Sequence, residues 1–154
     1  MCVSPSLQSV SLIMSNDVIW SVIRGNSAFL LKKRNCPKPF STEPLNLANK
    51  HSKRYSGLAN SKAIGIAPAK TNGFVFSMKK TSSKNRPAKS ISTTTMVAGP
   101  RRSLHKIKKV CFVNRYRKDL AKLAMRRASA IIRSQKPIAA RKGAKKAGTS
   151  KKAE

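Results

Sequence analysis

One stretch, residues 114–137 (NRYRKDLAKLAMRRASAIIRSQKP), constrains the fold more than any other part of the chain. It is rich in Ala, Leu, Met, Lys and Arg, which favour helices, and Asp119 suits a first helical turn. Pro137 lacks a backbone N–H and disfavours helical geometry at Lys136. The segment is therefore predicted to form one long helix that ends before Pro137.

At about 100° per residue, the side chains of this helix divide into two arcs. The apolar arc contains Leu120, Leu123, Ala124, Met125, Ala128, Ile131 and Ile132. The opposite arc contains Lys118, Lys122, Arg126, Ser129, Arg133 and Lys136. Arg127 falls among the apolar positions, so it is expected to extend to solvent or to reach a specific acceptor. One arc can pack on a core while the other presents a row of cations.

The cations of this helix lack acidic partners. A solvated surface helix usually alternates its charges, whereas this one carries a single acid, Asp119. The whole chain of 154 residues has the same imbalance, with 34 Lys and Arg against 4 Asp and Glu and a net charge of +30. No compact fold can pair so many cations internally, so a polyanionic partner is indicated. RNA or DNA is the leading candidate, and an anionic membrane surface ranks far behind.

Metal and catalytic sites are not predicted. The three cysteines, Cys2, Cys36 and Cys111, are far apart, and the two histidines, His51 and His105, are isolated. This spacing supports neither a zinc site nor a disulfide scaffold. The four acids are dispersed and no phosphate-binding glycine motif is present, so no acid–base pair or nucleophile can be named. We therefore predict that the protein is not an enzyme and needs no metal or cofactor.

Two further helices are predicted from apolar spacing. Residues 15–24 can form a short helix that is capped by Ser15 or Asn16. Trp20, the only tryptophan, is expected to anchor the core rather than to stack on a base. A basic helix is predicted at residues 102–113, directly before the long one.

The region between these helices reads as short strands. Strands are predicted at residues 27–33, 62–68, 73–80 and 90–95, with the last at an edge of the sheet. Phe74, Phe76 and Met78 alternate with more polar residues, which is the period of a half-buried strand. Residues 40–48 are expected to be irregular, with Glu43 in a local ion pair or a turn cap. The order favours an α+β fold with a small, mostly antiparallel sheet.

The flanking segments set the predicted domain boundaries. Residues 1–13 lack the cationic start and unbroken apolar run of a signal peptide and are expected to lie outside the fold. No apolar run approaches the roughly 18–20 residues of a membrane span. We predict an α+β domain over residues 14–98, a basic helical pair over residues 99–137 and a disordered basic tail over residues 138–154.

Basic residues are spread over the whole chain, with a few aromatic residues among them. Binding through them would rest on phosphate contacts and counterion release, without implying sequence readout. Tyr55 and Tyr116 could stack on unpaired bases, although core or hinge packing explains each of them at least as well. The candidate RNA contacts are Lys32, Lys33, Arg34, Lys50, His51, Lys53, Arg54, Tyr55, Lys79, Lys80, Lys84, Arg86, Lys89, Arg101, Arg102, Lys106, Lys108, Lys109, Arg115, Arg117, Lys118, Lys122, Arg126, Arg133 and Lys136.

Six segments occur in an order that matches a known family. They are WSVIRGNSAFLLK from Trp20, FSTEPLNL from Phe40, RYSGL from Arg54, KAIGIAP from Lys62, KNRPAKS from Lys84 and YRKDLAKLAMRRASAIIRSQKP from Tyr116. Together they closely resemble the eukaryote-specific ribosomal protein 28 family of the large subunit, which is unrelated to the bacterial protein of that number. The resemblance covers about residues 14–138, and RRASAIIRSQKP is its most specific part.

The resemblance implies a structural component of the cytosolic large (60S) subunit that is assembled in the nucleolus. It implies contacts with large-subunit rRNA and neighbouring ribosomal proteins, and we predict that residues 14–98 are an RNA-binding domain. It also implies no catalytic residues, no small-molecule substrate and no membrane partner. Residues 1–13 lie upstream of where the family usually begins, and no role is carried over to the tail.

Three other functions are weighed against this one. A ribosome-assembly factor with a related domain would be expected to leave before the mature particle, and such factors often carry an acidic extension, which this basic C-terminal segment is not. A linker-histone-like DNA binder is suggested by the composition of AKKAGTSKKAE alone. A membrane-active cationic protein usually sets Trp or Phe among the apolar positions of its helix. Within residues 114–137 the only aromatic residue is Tyr116, near the start of the predicted helix.

Overall fold

The computed structural model describes residues 14–83 and 86–137, so the predictions for residues 1–13 and 138–154 lie outside the described residues. The order of elements confirms the predicted α+β class. The helices and strands are α1 (Asn16–Ile23), β1 (Leu30–Leu31), β2 (Phe40–Ser41), β3 (Ile64–Pro68), β4 (Phe74–Lys79), α2 (Pro87–Ser90), β5 (Ile91–Met96), α3 (Pro100–Lys108) and α4 (Ala121–Ser134). A π-helix at Lys109–Val113 extends α3, and a 3₁₀ turn at Lys118–Leu120 precedes α4.

The main sheet is antiparallel and has the strand order β3-β4-β5. Ile66 lies opposite Phe76, and Phe74 lies opposite Met96, so buried side chains meet across neighbouring strands. The predicted alternation in β4 is confirmed, because Phe74 and Phe76 are buried while Val75 between them is partly exposed. β5 is an edge strand, as predicted, and most of its Ser and Thr residues face solvent.

The helices cover one face of this sheet. Ile107 of α3 and Cys111 of the π-helix are fully buried in the same hydrophobic cluster as the sheet residues. Ala121, Ala124 and Ala128 of α4 are also fully buried, and their small side chains let this helix lie close to its neighbours. Burying a side chain as large as Ile107 contributes about 1.5–3 kcal/mol. The sheet and the C-terminal helices therefore share one core.

α4 begins later than the sequence predicts. Arg115 and Arg117 have φ angles of 49° and 51°, in the left-handed region that an α-helix excludes. The Arg117 guanidinium is held by the backbone oxygens of Lys62 and Arg54, at 2.9 Å and 2.8 Å. The predicted start at residue 114 is therefore wrong, whereas the predicted stop before Pro137 is confirmed because α4 ends at Ser134.

The N-terminal part forms a smaller, more exposed layer. β1 and β2 pair antiparallel with Leu30 opposite Ser41, so the first strand is shorter than predicted. Through this pairing residues 40–41 form a strand, where the sequence predicts an irregular segment. The Ser41 N–H also donates to the Asn49 oxygen, 2.9 Å away. Ser15 caps α1 as predicted, but α1 has no buried residue. The prediction that Trp20 anchors the core is wrong, since its ring stands beside the His51 ring instead.

The long connection between β2 and β3 is organised by a buried carboxylate. Glu43 is 4% exposed and accepts hydrogen bonds from Gly57 N–H at 2.8 Å and from the Ser56 hydroxyl at 3.1 and 3.2 Å. Gly57 lies so close to Leu45 that an added Cβ would stand 2.5 Å from the Leu45 Cβ. Of the two roles predicted for Glu43, the turn cap is the one confirmed.

Candidate nucleic-acid interface

The exposed arc of α4 and the turn before it presents a row of cations. On the opposite side, Leu120, Ala124 and Ala128 are buried, and Leu123, Met125, Ile131 and Ile132 pack against the core. The division into two arcs is therefore confirmed. The exposed residues of this surface, called here the α4 face, are Lys118, Lys122, Arg126, Arg133 and Lys136.

α3 and the start of the π-helix carry a second cationic surface. Ser103 and Ile107 are buried, and Leu104 packs against the core, so the basic side chains are directed away from it. The exposed residues of this surface, called here the α3 face, are Arg101, Arg102, Lys106, Lys108 and Lys109. The spacing of apolar residues at residues 102–113 predicted this arrangement.

Most of the remaining candidates lie on exposed loops and turns. Lys84 falls outside the described residues, so its contacts stay a prediction. None of the loop positions belongs to the hydrophobic core cluster. The exposed candidates outside the two helical faces are Lys32, Lys33, Arg34, Lys50, Arg54, Lys80, Arg86, Lys89 and Arg115.

The acids of the described residues are already engaged. Asp17 pairs with Lys53, and Asp119 pairs with Arg117 at 2.9 Å and with Arg54 at 3.5 Å. The hydrogen bonds from Arg117, together with its charge and that of Arg54, hold the pKa of the Asp119 carboxyl below its usual value. Glu43 is buried in its turn. Within residues 14–83 and 86–137, no acid is therefore left to neutralise the α3 and α4 faces.

Three cations bind backbone oxygens of the protein itself. The Lys79 ammonium donates to the oxygens of Gly57 and Asn60, at 3.0 Å and 3.1 Å. The Arg117 guanidinium donates to the oxygens of Lys62 and Arg54, and its side chain is only 16% exposed. Arg127 donates to the oxygens of Asn46 and Leu47, at 3.0 Å and 2.9 Å, which confirms the specific acceptor predicted for it. Lys79 and Arg117 are thus structural cations as well as candidate RNA contacts.

Tyr116 has a packing role in this structure. Its hydroxyl donates to the backbone oxygen of Lys79 at 2.6 Å and accepts from Ala63 N–H at 3.1 Å. The Lys62 ammonium stands 5.8 Å from the centre of the ring. Burial raises the pKa of the Tyr116 phenol, which keeps it protonated as a donor.

A cleft beside α1 combines cations with aromatic rings. Its volume is about 670 Å³. The His51 ring lies 4.9 Å from the Trp20 ring, centre to centre, and its Nε2 is 2.9 Å from the Arg24 oxygen. Tyr55 also lines the cleft and packs against the core. The residues that line this cleft, called here the Trp20 cleft, are Trp20, Arg24, Lys38, Pro39, Lys50, His51, Ser52, Lys53 and Tyr55.

The cleft brings together residues that the sequence did and did not single out. Lys50, His51, Lys53 and Tyr55 are close together in the chain and were all candidates. Trp20, Arg24 and Lys38 were not, because the two cations are isolated in sequence and the tryptophan looked like a core residue. The exposure of Trp20 could have been inferred from the length of α1, because a helix of eight residues can bury little side-chain area.

The described residues offer no metal site. Among them, no group of three or more His, Cys, Asp or Glu could hold a metal ion. Cys36 is exposed and Cys111 is buried, and burial raises the pKa of the Cys111 thiol, with the Asp119 charge adding to this effect. Within residues 14–83 and 86–137, each helix is too short or too polar to span a lipid bilayer.

Comparison with known proteins places this arrangement in a family. A model described as the ribosomal L28e protein family matches residues 18–134. These residues include the whole Trp20 cleft, the α3 face and all of the α4 face apart from Lys136. The chain belongs to the ribosomal L28e protein family. The L28e match confirms the resemblance drawn from the six sequence segments.

Individual L28e relatives are matched over nearly their full length. A Caenorhabditis elegans protein named large ribosomal subunit protein eL28 is 45% identical over 122 residues, which are 79% of this chain and 91% of the relative. Proteins of the same name from Schizosaccharomyces pombe and Dictyostelium discoideum are 39% and 37% identical. These two matches span 80% and 86% of this chain and 95% and 99% of the relatives.

Proposed function

We propose that this chain is a structural, non-catalytic constituent of the cytosolic large ribosomal subunit that binds large-subunit rRNA through phosphate contacts. The observation that carries the proposal is the engagement of Asp17, Glu43 and Asp119 by protein groups, which leaves two cationic helical faces without acids among the described residues. A one-signed surface of this kind is favourable when a polyanion covers it. The name of the L28e relatives, large ribosomal subunit protein eL28, supports the large subunit as its setting.

Exposed lysine and arginine side chains are the groups that would contact the RNA. They donate to phosphate oxygens without reading the bases, so they position the protein on the RNA backbone. The α3 and α4 faces supply ten of these groups, and the exposed cations elsewhere supply the others. The surfaces lie on different elements, which suits a protein surrounded by RNA and by neighbouring ribosomal proteins.

Sucrose-gradient sedimentation tests the proposal. Epitope-tagged protein would be followed across free, 40S, 60S, 80S and polysome fractions at physiological salt and after a high-salt wash. We expect co-migration with 60S, 80S and polysomes that survives the wash. Sedimentation away from 60S particles at physiological salt would contradict the proposal.

The same gradient separates the two main alternatives. Confinement to precursor particles of the nucleolus, with absence from polysomes, would identify a ribosome-assembly factor. Absence from every ribosomal fraction, together with salt-extractable association with chromatin, would identify a DNA-binding protein. A structural constituent should instead pass through the nucleolus and accumulate in cytoplasmic ribosomes.

A further inference from the structure

We propose that the Trp20 cleft binds an unpaired nucleotide of the RNA, with its base against the indole of Trp20. The phosphates on either side of that nucleotide would then lie against Arg24, Lys38 and Lys50. This inference rests on the proposed function and adds a distinct kind of contact to it. The α3 and α4 faces bind phosphates, whereas the Trp20 cleft takes a base.

The cations of the cleft are available for a ligand. Lys53 pairs with Asp17 at its edge. The side chains of Arg24, Lys38 and Lys50 form no hydrogen bond or ion pair in the part of the chain that the structure describes. Three unpaired cations around one cleft repel each other, and bound phosphates would remove that repulsion.

The aromatic wall is held in place without being buried. The His51 ring supports one side of the indole, and the bond between His51 and the Arg24 oxygen links that ring to the end of α1. Trp20 stays partly exposed on a helix that has no buried residue. A flat, partly exposed indole beside cations is the arrangement on which unpaired bases stack.

The dimensions of the cleft agree with this ligand. Its volume of about 670 Å³ falls within the roughly 300–1,000 Å³ of small-ligand sites. A double-stranded helix cannot insert a base into such a cleft, because its bases are paired and stacked. The α4 face has no aromatic residue between Lys118 and Pro137, so it lacks the surface that a base would need.

Trp20 makes the proposal directly measurable, because it is the only tryptophan in the chain. The full chain would be titrated at physiological salt with a single-stranded oligo(A) RNA of about 10 nucleotides, a length typical of single-strand binding sites. The same titration would be made with an RNA duplex of equal length and with inorganic polyphosphate. We expect oligo(A) to quench the tryptophan emission in a saturable manner, and the other two polyanions to bind without comparable quenching.

Variants test whether the indole provides binding affinity. Fluorescence anisotropy of labelled oligo(A) should show that Trp20→Ala weakens binding at least about fivefold, while Trp20→Phe keeps most of the affinity. Both variants should bind the duplex within about twofold of wild type, since phosphate contacts are unchanged. Phe112→Ala removes an exposed aromatic ring outside the cleft and should leave oligo(A) binding unchanged. Trp20 lies outside the core, so we expect both Trp20 variants to fold. Circular dichroism would check this.

The outcomes separate this inference from the proposed function. Saturable quenching with selective loss of oligo(A) affinity in Trp20→Ala supports both. If oligo(A) binds wild type and Trp20→Ala equally well and does not quench the tryptophan emission of wild type, the nucleotide site is overturned and the proposed function stands. Failure of the wild-type protein to bind any RNA overturns both.

Discussion

The Tyr116 hydroxyl donates to the backbone oxygen of Lys79 across 2.6 Å, although the two residues belong to different layers of the fold. The same hydroxyl accepts from Ala63 N–H at 3.1 Å. One side chain thereby connects the segment before α4 to the ends of β3 and β4. Tyr116 lies in the short segment between the π-helix and the 3₁₀ turn that precedes α4.

Replacing Tyr116 with phenylalanine should lower the free energy of unfolding by about 1–3 kcal/mol, because partly buried backbone groups would be left without a partner. The measurement is urea unfolding followed by circular dichroism. Tyr55→Phe is the matched control, since the packing of Tyr55 on the core is kept and no hydrogen bond of its hydroxyl is present in the described residues. Equal destabilisation by both variants would contradict the role given to the Tyr116 hydroxyl.

Arg127 should be needed for stability although its neighbour is not. Arg127→Lys cannot reproduce the planar donors that reach the Asn46 and Leu47 oxygens, and we expect a decrease in stability of about 1–3 kcal/mol. Arg126→Lys, on the exposed side of the same helix, should change stability by less than about 0.5 kcal/mol. Thermal unfolding of the two variants side by side makes the comparison, and similar shifts would show that the Arg127 hydrogen bonds are not stabilising.

Gly73 is predicted to be intolerant of a side chain. Its φ is +99°, and an added Cβ would meet the backbone oxygen of Met96. Its N–H and oxygen are both bound by the Gln135 amide at 2.8 Å. Gly73→Ala should cost at least about 1–3 kcal/mol. Gly25→Ala meets nothing within 4 Å and should be nearly neutral, and urea unfolding of both variants would reveal whether Gly73 is special.

Asp119 should make stability depend on acid pH. The pKa of its carboxyl in the folded protein lies below its usual value of 3.8. The stabilisation is therefore complete above that value and disappears as the pH falls through and below it. Melting temperatures of wild type and Asp119→Asn should differ at neutral pH and converge in acid. Asp17→Asn, which removes a carboxylate with a 75% exposed side chain, should have little effect throughout. A wild-type advantage over Asp119→Asn that persists unchanged into acid would argue against the ion pair with Arg117.

The α4 face should affect RNA affinity without affecting folding. A double change of Arg126 and Arg133 to Gln should weaken binding to an rRNA fragment. It should also reduce the slope of log affinity against log salt by about 0.7–0.9 for each phosphate that these arginines neutralise in the wild-type complex. Ser129→Ala on the same arc is the control and should leave the slope unchanged. A weaker affinity with an unaltered slope would mean that these arginines do not bind phosphates.

The parts of the fold set by local patterns could be predicted from the sequence. The two arcs of α4 follow from helical spacing, and the alternation of Phe74 and Phe76 marks a half-buried strand. The start of α4 could not be predicted, because Arg117 is held out of the helix by Lys62 and Arg54, which are distant in the chain. The pairing of residues 40–41 was missed for a related reason, since a two-residue strand has no internal periodicity and its partners lie elsewhere in the chain.

In the candidate site, too, local patterns could be predicted from the sequence and contacts between distant segments could not. Exposure of the α4 cations followed from the burial of the opposite arc. The use of Lys79 and Arg117 as donors to backbone oxygens did not, because those acceptors come from loops whose course the sequence does not reveal. The sequence favours a core role for Trp20, because a tryptophan more often packs in a core than stacks on a base. Its position in the Trp20 cleft depends on where residues 38 and 50–55 pass α1, which is a property of the tertiary fold.

The sharing of one core by the sheet and α4 has a consequence for biosynthesis. Translation delivers β3, β4 and β5 before α4, so the part of the sheet face that α4 covers stays open until residue 134 has emerged. Gln135, just beyond α4, then closes onto Gly73. The core is therefore completed only late in synthesis, and the unfinished chain exposes both apolar and cationic surface. We expect such a chain to depend on protective factors during its synthesis.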